Sequence, residues 1–125
     1  QSVSRAERHP VASLDDVVAA GEAAFREAVR GRRFAVRARS VGDSALPFRG
    51  RDVDVALGEK LRGISAGVDL NHPDFTARVE LYGGAAYTFA EVVPGVGGLP
   101  LGSGGRAVAL VSGGFDSAVA AWQLQ

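Results

Sequence analysis

The chain has no cysteine, a single lysine and no long apolar run, and each absence narrows what it can do. Without cysteine, disulfides, thiolate metal sites and cysteine nucleophiles are excluded within this stretch. No segment approaches the roughly 20 apolar residues that a membrane-crossing helix requires, and nothing reads as a signal peptide. No membrane partner is therefore expected, and the expected location is cytoplasmic. The two histidines, His9 and His72, are far apart and lack ligand-like spacing, so they suggest no metal site. His72 lies in Asn71-His72-Pro73-Asp74, which reads as a turn. Net charge is also absent: 14 basic side chains balance 14 acidic ones, unlike the visibly basic surface of a dedicated nucleic-acid binder. The chain opens on Gln1 rather than Met, so its start is expected not to be native.

What is present fits a globular protein. At 125 residues and 46% hydrophobic content, the chain can bury one modest core, with room for fragments of neighbouring domains. The charge is unevenly spread. Arg26, Arg30, Arg32, Arg33, Arg37 and Arg39 fall in one stretch with Glu27 as its one acid. A GC-rich genome accounts for arginine over lysine, since Ala, Gly and Val are enriched too, but it does not account for the clustering.

Hydrophobic periodicity predicts the elements. Ser13 caps a helix whose first turn carries Asp15 and Asp16, both favourable beside unpaired N–H groups and the positive end of the dipole. Leu14, Val17, Val18, Gly21, Ala24, Phe25, Ala28 and Val29 recur at helical spacing, and Gly31 supplies the stop. Arg33 to Ser40 alternates, with Phe34, Val36 and Ala38 on one side and Arg33, Arg37 and Arg39 on the other. Residues 42–47 read as a turn. A second helix is expected from Asp52, with Val53, Leu57, Leu61 and Ile64 inward and Lys60 and Arg62 outward. Val68 to Leu70 reads as a short strand, with Asp69 and Asp74 serving the turn around Pro73. Phe75 to Tyr82 and Ala86 to Val93 form a hairpin across Gly83-Gly84. Residues 1–12 show no clear period.

The expected order is helix, strand, helix, strand, strand, strand, a compact mixed α/β domain over residues 1–95. Residues 96–106, rich in glycine and proline, read as a linker. Ala107 to Val111 is a short continuous apolar run, as in a strand buried on both faces of a parallel sheet. Ala118 to Leu124 reads as a helix, so a new domain is expected to begin within residues 107–125.

Between that strand and that helix lies Ser112-Gly113-Gly114-Phe115-Asp116-Ser117. Backbone N–H groups of such a loop converge near a helix N-terminus, where the dipole favours an anion. The glycines allow close approach, and the hydroxyls of Ser112 and Ser117 add donors. Asp116 would repel phosphates unless it held a magnesium ion or oriented the loop, so it points to a metal-bound nucleotide. The Walker pattern is absent. A dinucleotide fingerprint forced onto Gly102 to Ala107 precedes its strand instead of following it and is rejected.

The hexapeptide resembles the pyrophosphate-binding loop of ATP pyrophosphatases, enzymes that adenylate a substrate and release pyrophosphate. Upstream, Phe34-Ala35-Val36-Arg37-Ala38-Arg39, Val68-Asp69-Leu70-Asn71-His72-Pro73-Asp74 and Gly97-Gly98-Leu99-Pro100-Leu101-Gly102 run in order into that loop. Together these four motifs resemble the THUMP domain, linker and nucleotide loop of tRNA 4-thiouridine sulfurtransferases, which are also linked to thiamine thiazole biosynthesis. The resemblance covers nearly the whole chain. Ala118, where many relatives have proline, is a small departure.

The resemblance implies a THUMP domain followed by the first strand, loop and helix of an adenine nucleotide hydrolase-like domain. A ferredoxin-like domain would come first, with residues 1–10 as its last strand or the junction. ATP and magnesium are the implied cofactors. Leu110, Val111, Ser112, Gly113, Gly114, Asp116 and Ser117 are the expected nucleotide site, with Asp116 as the catalytic residue and magnesium ligand. Arg37, Arg39, Lys60 and Arg62 are the expected contacts to tRNA phosphates, although clustered charge alone is weakly specific. The implied reaction activates a uridine carbonyl oxygen as its adenylate, after which sulfur from a persulfide-carrying protein of the cysteine desulfurase type displaces AMP. The sulfur-handling cysteines lie outside this stretch, so the fragment alone is expected to be inactive. Two other readings stay open, a stand-alone RNA-binding module and a fragment of another adenylating synthetase.

Overall fold

The structure is a computed structural model and describes residues 2–42, 46–98, 103–106 and 108–123. Ser2 to Gly95 form one compact unit, and Val96 to Gln125 belong to another.

The first unit is built on a five-stranded mixed sheet. Its strands are β2 (Glu7–Pro10), β3 (Arg33–Ser40), β4 (Gly67–Val68), β5 (Phe75–Tyr82) and β6 (Ala85–Phe89), in the order β2-β6-β5-β3-β4. A separate two-stranded ribbon pairs β1 (Ser2–Val3) with β7 (Val93–Pro94). Two helices, α1 (Leu14–Val29) and α2 (Gly50–Arg62), supply the rest.

Helix α1 begins where its sequence says. Ser13 Oγ accepts from Asp16 N at 3.2 Å, and Asp16 Oδ2 accepts in return from Ser13 N at 2.9 Å. This reciprocal box satisfies donors that no helical carbonyl can reach. Val17, Gly21, Phe25 and Val29, four residues apart, form the buried stripe. Gly31, at φ 66°, ends the helix in a left-handed conformation that glycine adopts without strain.

Helix α2 starts at Gly50, two residues before the expected Asp52, because Asp52 Oδ2 reaches back to Arg49 N at 2.8 Å. The early start also depends on Gly50 itself. A Cβ there would lie 2.5 Å from the Ala38 carbonyl oxygen, so only glycine lets the helix end sit against β3. Gly21 has a similar role between helices, since a Cβ on it would meet Leu57 Cδ2 at 2.6 Å. Val53, Leu57 and Leu61 of α2 then join Phe34 and Val36 of β3 and Ala77, Val79 and Leu81 of β5 in one core.

Strands β3 and β5 are parallel, with Arg37 opposite Arg78 and Arg39 opposite Glu80. Parallel strands need a crossover, and the segment carrying α2 provides it. Strands β5 and β6 form the expected hairpin. Gly83 and Gly84, at φ 55° and 75°, match the tight turn whose twist suits flanking strands.

Several other expectations change. Glu7 to Pro10, read as irregular, is an edge strand on β6. It carries no apolar alternation because it is exposed along most of its length, and proline is tolerated at a sheet edge. The return strand ends at Phe89 instead of Val93, and Val93 pairs with Val3 instead. Strand β4 stops at Val68 instead of Leu70, because the Asp69 carboxylate accepts from Asn71 N at 3.0 Å and His72 N at 2.9 Å and turns the chain. Residues 108–111, expected as a buried strand, lie in no ladder, and Val108 and Leu110 are each 91% exposed. A parallel strand takes its hydrogen bonds from neighbours, and no described residue pairs with these four.

In the second unit, α3 (Phe115–Gln123) begins three residues before the expected Ala118. Phe115 and Trp122 are 90% and 71% exposed. Leu99 to Gly102 of the linker, Ala107 of the expected strand, Leu124 of the expected helix and residues 43–45 of the expected turn lie outside the described residues.

Replacing Gly50 by alanine forces a methyl group against the Ala38 carbonyl. The expected loss is about 1–3 kcal/mol, the usual cost of overpacking. Urea unfolding should show a lower midpoint with an unchanged slope.

Candidate nucleotide loop and nucleic-acid interface

The loop of the second unit is closed by its two serines. Ser112 N donates to Ser117 Oγ at 3.2 Å, and the two hydroxyl oxygens are 3.3 Å apart. Ser117 Oγ also reaches the Gly114 carbonyl at 3.0 Å, and Gly114 N faces Ser112 Oγ at 3.4 Å. The start of α3 at Phe115 puts Asp116 in the first helical turn. The first N–H groups of a helix have no helical partner, so this end presents donors toward the exposed loop. At Gly113 a Cβ would meet nothing within 4 Å, so the loop's outer side is open to a ligand. Leu110 and Val111, just before the first serine, are exposed.

Asp116 is the loop's one carboxylate, and no group of three metal-ligating side chains occurs among the described residues. That donor set fits magnesium, which is typically held by one or two carboxylates together with phosphate oxygens and water.

In the first unit, the four expected tRNA contacts fall on two surfaces. Arg37 and Arg39 project from β3 on the sheet face opposite the helices. Arg37 Nη2 donates to the Leu70 carbonyl at 2.5 Å. Arg39 grips Glu80 Oε1 through Nε at 2.9 Å and Nη2 at 2.5 Å. Lys60 and Arg62 are on α2, which packs on the other face, and face Glu22 at 3.7 Å and Glu59 at 3.8 Å.

The arginine cluster is less basic in space than in sequence. Arg26, Arg30, Arg33 and Arg39 all find carboxylate partners, in Glu22, Glu27, Asp69 with Asp74, and Glu80. Arg32 and Arg37 have no carboxylate within ion-pair distance among the described residues, and Arg37 donates to a neutral carbonyl. The register adds a residue that sequence reasoning missed. Arg78 lies directly across from Arg37, with Phe89 on its other side. Alternation along Phe75 to Tyr82 already places Arg78 on the polar side. Only the pairing brings it to Arg37.

The loop that carries Leu70 is locked by carboxylates. Backbone N–H groups of His72 and Asn71 hold the Asp69 carboxyl below the usual carboxylate range. The Arg33 backbone N–H, followed by its side chain, does the same for Asp74.

Comparison with known proteins fits this geometry. A family model, the THUMP domain, matches residues 11–90. A tRNA sulfurtransferase from Thermoplasma acidophilum is 39% identical over 124 residues, 99% of this chain and 25% of that protein. A probable tRNA sulfurtransferase from Aeropyrum pernix is 46% identical over 126 residues, 99% of this chain and 31% of that protein. Among solved structures, PH1313 from Pyrococcus horikoshii aligns with a TM-score of 0.72 at 27% identity, covering 98% of this chain and 43% of the other. A 4-thiouridine synthetase in complex with RNA and bound ATP aligns with a TM-score of 0.60 at 30% identity, covering 98% of this chain and 33% of the other. The chain thus spans about a quarter to a third of the length of these two curated relatives.

The depressed carboxyls fix the sign of a pH effect. A carboxyl with a lowered folded pKa stabilises above its unfolded value, and that contribution fades as pH falls through the folded value. The Asn71 amide, which reports Asp69, and the Arg33 amide, which reports Asp74, should therefore each titrate with a midpoint below about pH 3.9, the ordinary aspartate value. A midpoint at or above that value would contradict the hydrogen-bonded loop.

Proposed function

The chain belongs to the THUMP domain family, and from that membership we propose that it is the RNA-binding part, with the threshold of the nucleotide site, of an ATP-dependent tRNA sulfurtransferase. The observation that carries this reading is the reach of the similarity. Relatives named as tRNA sulfurtransferases match 99% of the chain, past residue 90 and into the serine-closed loop. In this reading residues 1–95 hold the tRNA, residues 96–106 connect, and residues 107–125 open the pyrophosphatase domain.

The proposed reaction converts a uridine to 4-thiouridine. The carbonyl oxygen at C4 attacks the α-phosphate of ATP and pyrophosphate leaves. The terminal sulfur of a persulfide then attacks C4 and displaces AMP. A second thiol attacks the persulfide's inner sulfur, which releases 4-thiouridine and leaves a disulfide for an external thiol to reduce. This chain contributes binding and orientation. The N–H groups at the start of α3 and the loop serines would hold the departing phosphates, where fixed donors need no reorganisation. Asp116 would hold magnesium, whose charge offsets that of the phosphates. With no cysteine in the chain, the persulfide comes from another segment or a donor protein of the cysteine desulfurase type. The same sulfur route would serve thiamine thiazole synthesis. No helix of the described residues is long and apolar enough to cross a membrane, in keeping with a cytoplasmic enzyme acting on tRNA.

Two experiments test the division of labour. In the full-length enzyme, Asp116→Ala should cut ATP-dependent tRNA thiolation by at least about 100-fold, the usual scale for losing one preorganised electrostatic contact. Its tRNA affinity in a filter-binding assay should stay within twofold of wild type, about 0.4 kcal/mol. Equal loss of both would sink the proposal. The 125-residue chain by itself should bind tRNA weakly and show no ATP turnover. That binding should weaken steeply between about 50 and 200 mM salt, as phosphate contacts do. Salt-independent binding or robust turnover would count against the assignment.

A further inference from the structure

The β1–β7 ribbon continues the β2–β6 ladder, but not in its register. In the ladder Glu7 is opposite Thr88, and in the ribbon Val3 is opposite Val93. Three residues, 4–6, separate these pairs on one strand, and four, 89–92, separate them on the other. One strand thus carries an extra residue, as in a β-bulge, which interrupts pairing and bends the strands out of line. Phe89 is still tied to the sheet through Arg78, so the slack falls in residues 90–92. Beyond the bend the ribbon has two residue pairs and no third strand. A two-stranded ribbon of this kind is marginal in water.

Little holds the bend in place. Among the described residues, the side chains of 2–6 and 90–94 make no hydrogen bond or ion pair. Open space lies on both sides of it. Toward the helix-free face, Ser2, Ser4 and Val92 border a cleft of about 320 Å³ that Arg37, Arg39 and Arg78 line from the sheet. Toward the helices, Arg5, Ala6 and Ala90 border a groove of about 630 Å³ against Ala24 and Ala28 of α1. The covering position also carries a cost. Arg78 Nε, on the wall of the cleft, is buried and has no hydrogen-bond partner, a costly state for a charged donor. Swinging the ribbon clear readmits water to that atom. Weak pairing and an unsatisfied donor together keep the two positions close in energy.

We propose that the β1–β7 ribbon is a hinged strap, which bends at residues 4–6 and 90–92 and alternates between covering the Arg37 and Arg78 side of the sheet and standing clear of it. The bend lies in backbone that no ladder fixes, so the swing leaves the β2–β6 pairs intact. Openings of this kind draw on the least stable part of a fold and occur well short of global unfolding. Only the use of the strap rests on the RNA-binding reading above: closed, it keeps RNA from this face, and RNA on the face holds it open. The hinge stands without that reading.

With no native cysteine, introduced thiols label the whole chain cleanly. Nitroxides at Val93→Cys and Glu59→Cys report the distance from the ribbon to α2 by pulsed electron spin resonance. Two distance populations are expected. Deletion of Glu91 brings the ribbon into register with the β2–β6 ladder and should leave one. If that deletion unfolds the chain, amide exchange in the unaltered chain carries the test. Val3 and Val93 should exchange at least about 100-fold faster than Val79 and Leu81 of β5, as local opening does relative to global unfolding. A short single-stranded oligoribonucleotide, with its binding measured on the same samples, should enrich the population clear of the sheet. A single population before the deletion, or Val3 and Val93 as slow to exchange as Val79, overturns the proposal. An oligonucleotide that binds without moving the distribution overturns it as a gate. If both populations persist and the oligonucleotide does not bind, the hinge stands and the RNA-binding reading fails.

Discussion

The parallel pairing of Arg33–Ser40 with Phe75–Tyr82 is the contact on which the first unit depends. It joins residues about forty positions apart, so its closure entropy must be offset by what the crossover buries. Helix α2 does this by setting Val53, Leu57 and Leu61 against Phe34, Val36 and the apolar side of β5. The crossover fits only because Gly50 lets the helix begin against the Ala38 carbonyl. Once the two strands are in register, everything on their other face follows. Arg39 meets Glu80, and Arg37 meets Arg78.

One side of the sheet is thus a core and the other a charged surface, set by the same ladder. The strand that completes this surface, β6, brings Tyr87 opposite Glu80 and Phe89 opposite Arg78. Each aromatic side chain of β6 on this face thus sits beside a charged residue of β5. The helices on the far side carry Lys60 and Arg62, each near an acid. Both surfaces carry ion pairs, and the open one adds an unbalanced pair of arginines.

Local chemistry was legible in the sequence, and long-range pairing was not. Ser13 and Asp16 mark the start of α1 because both partners of the cap lie within four residues. Gly83-Gly84 marks the hairpin for the same reason. The bounds of β3 and β5 match their alternation because each buries one face. Glu7 to Pro10 offered no such pattern, since an exposed edge strand is specified by its partner β6. The apolar run before Ser112 suggested a buried strand, but a strand of that kind is defined by neighbours it must pair with. In the loop, the residues were readable and the helix start was not. Phe115 and Asp116 already belong to the helix, so Asp116 sits in its first turn. Arg78 was the main omission, because register cannot be counted along one strand.

The Asp54 carboxylate that accepts from the Ala38 N–H has a consequence for the protein's colloidal behaviour. Beyond Phe34, β3 no longer pairs with β4, which leaves a stretch of sheet edge facing outward. Bare edges recruit strands from other molecules and seed aggregates. Here one edge donor is occupied by a helical side chain, and the adjacent carbonyl is pressed against Gly50. The Asp54 carboxylate thus takes up one of the positions on this edge to which an incoming strand would bond.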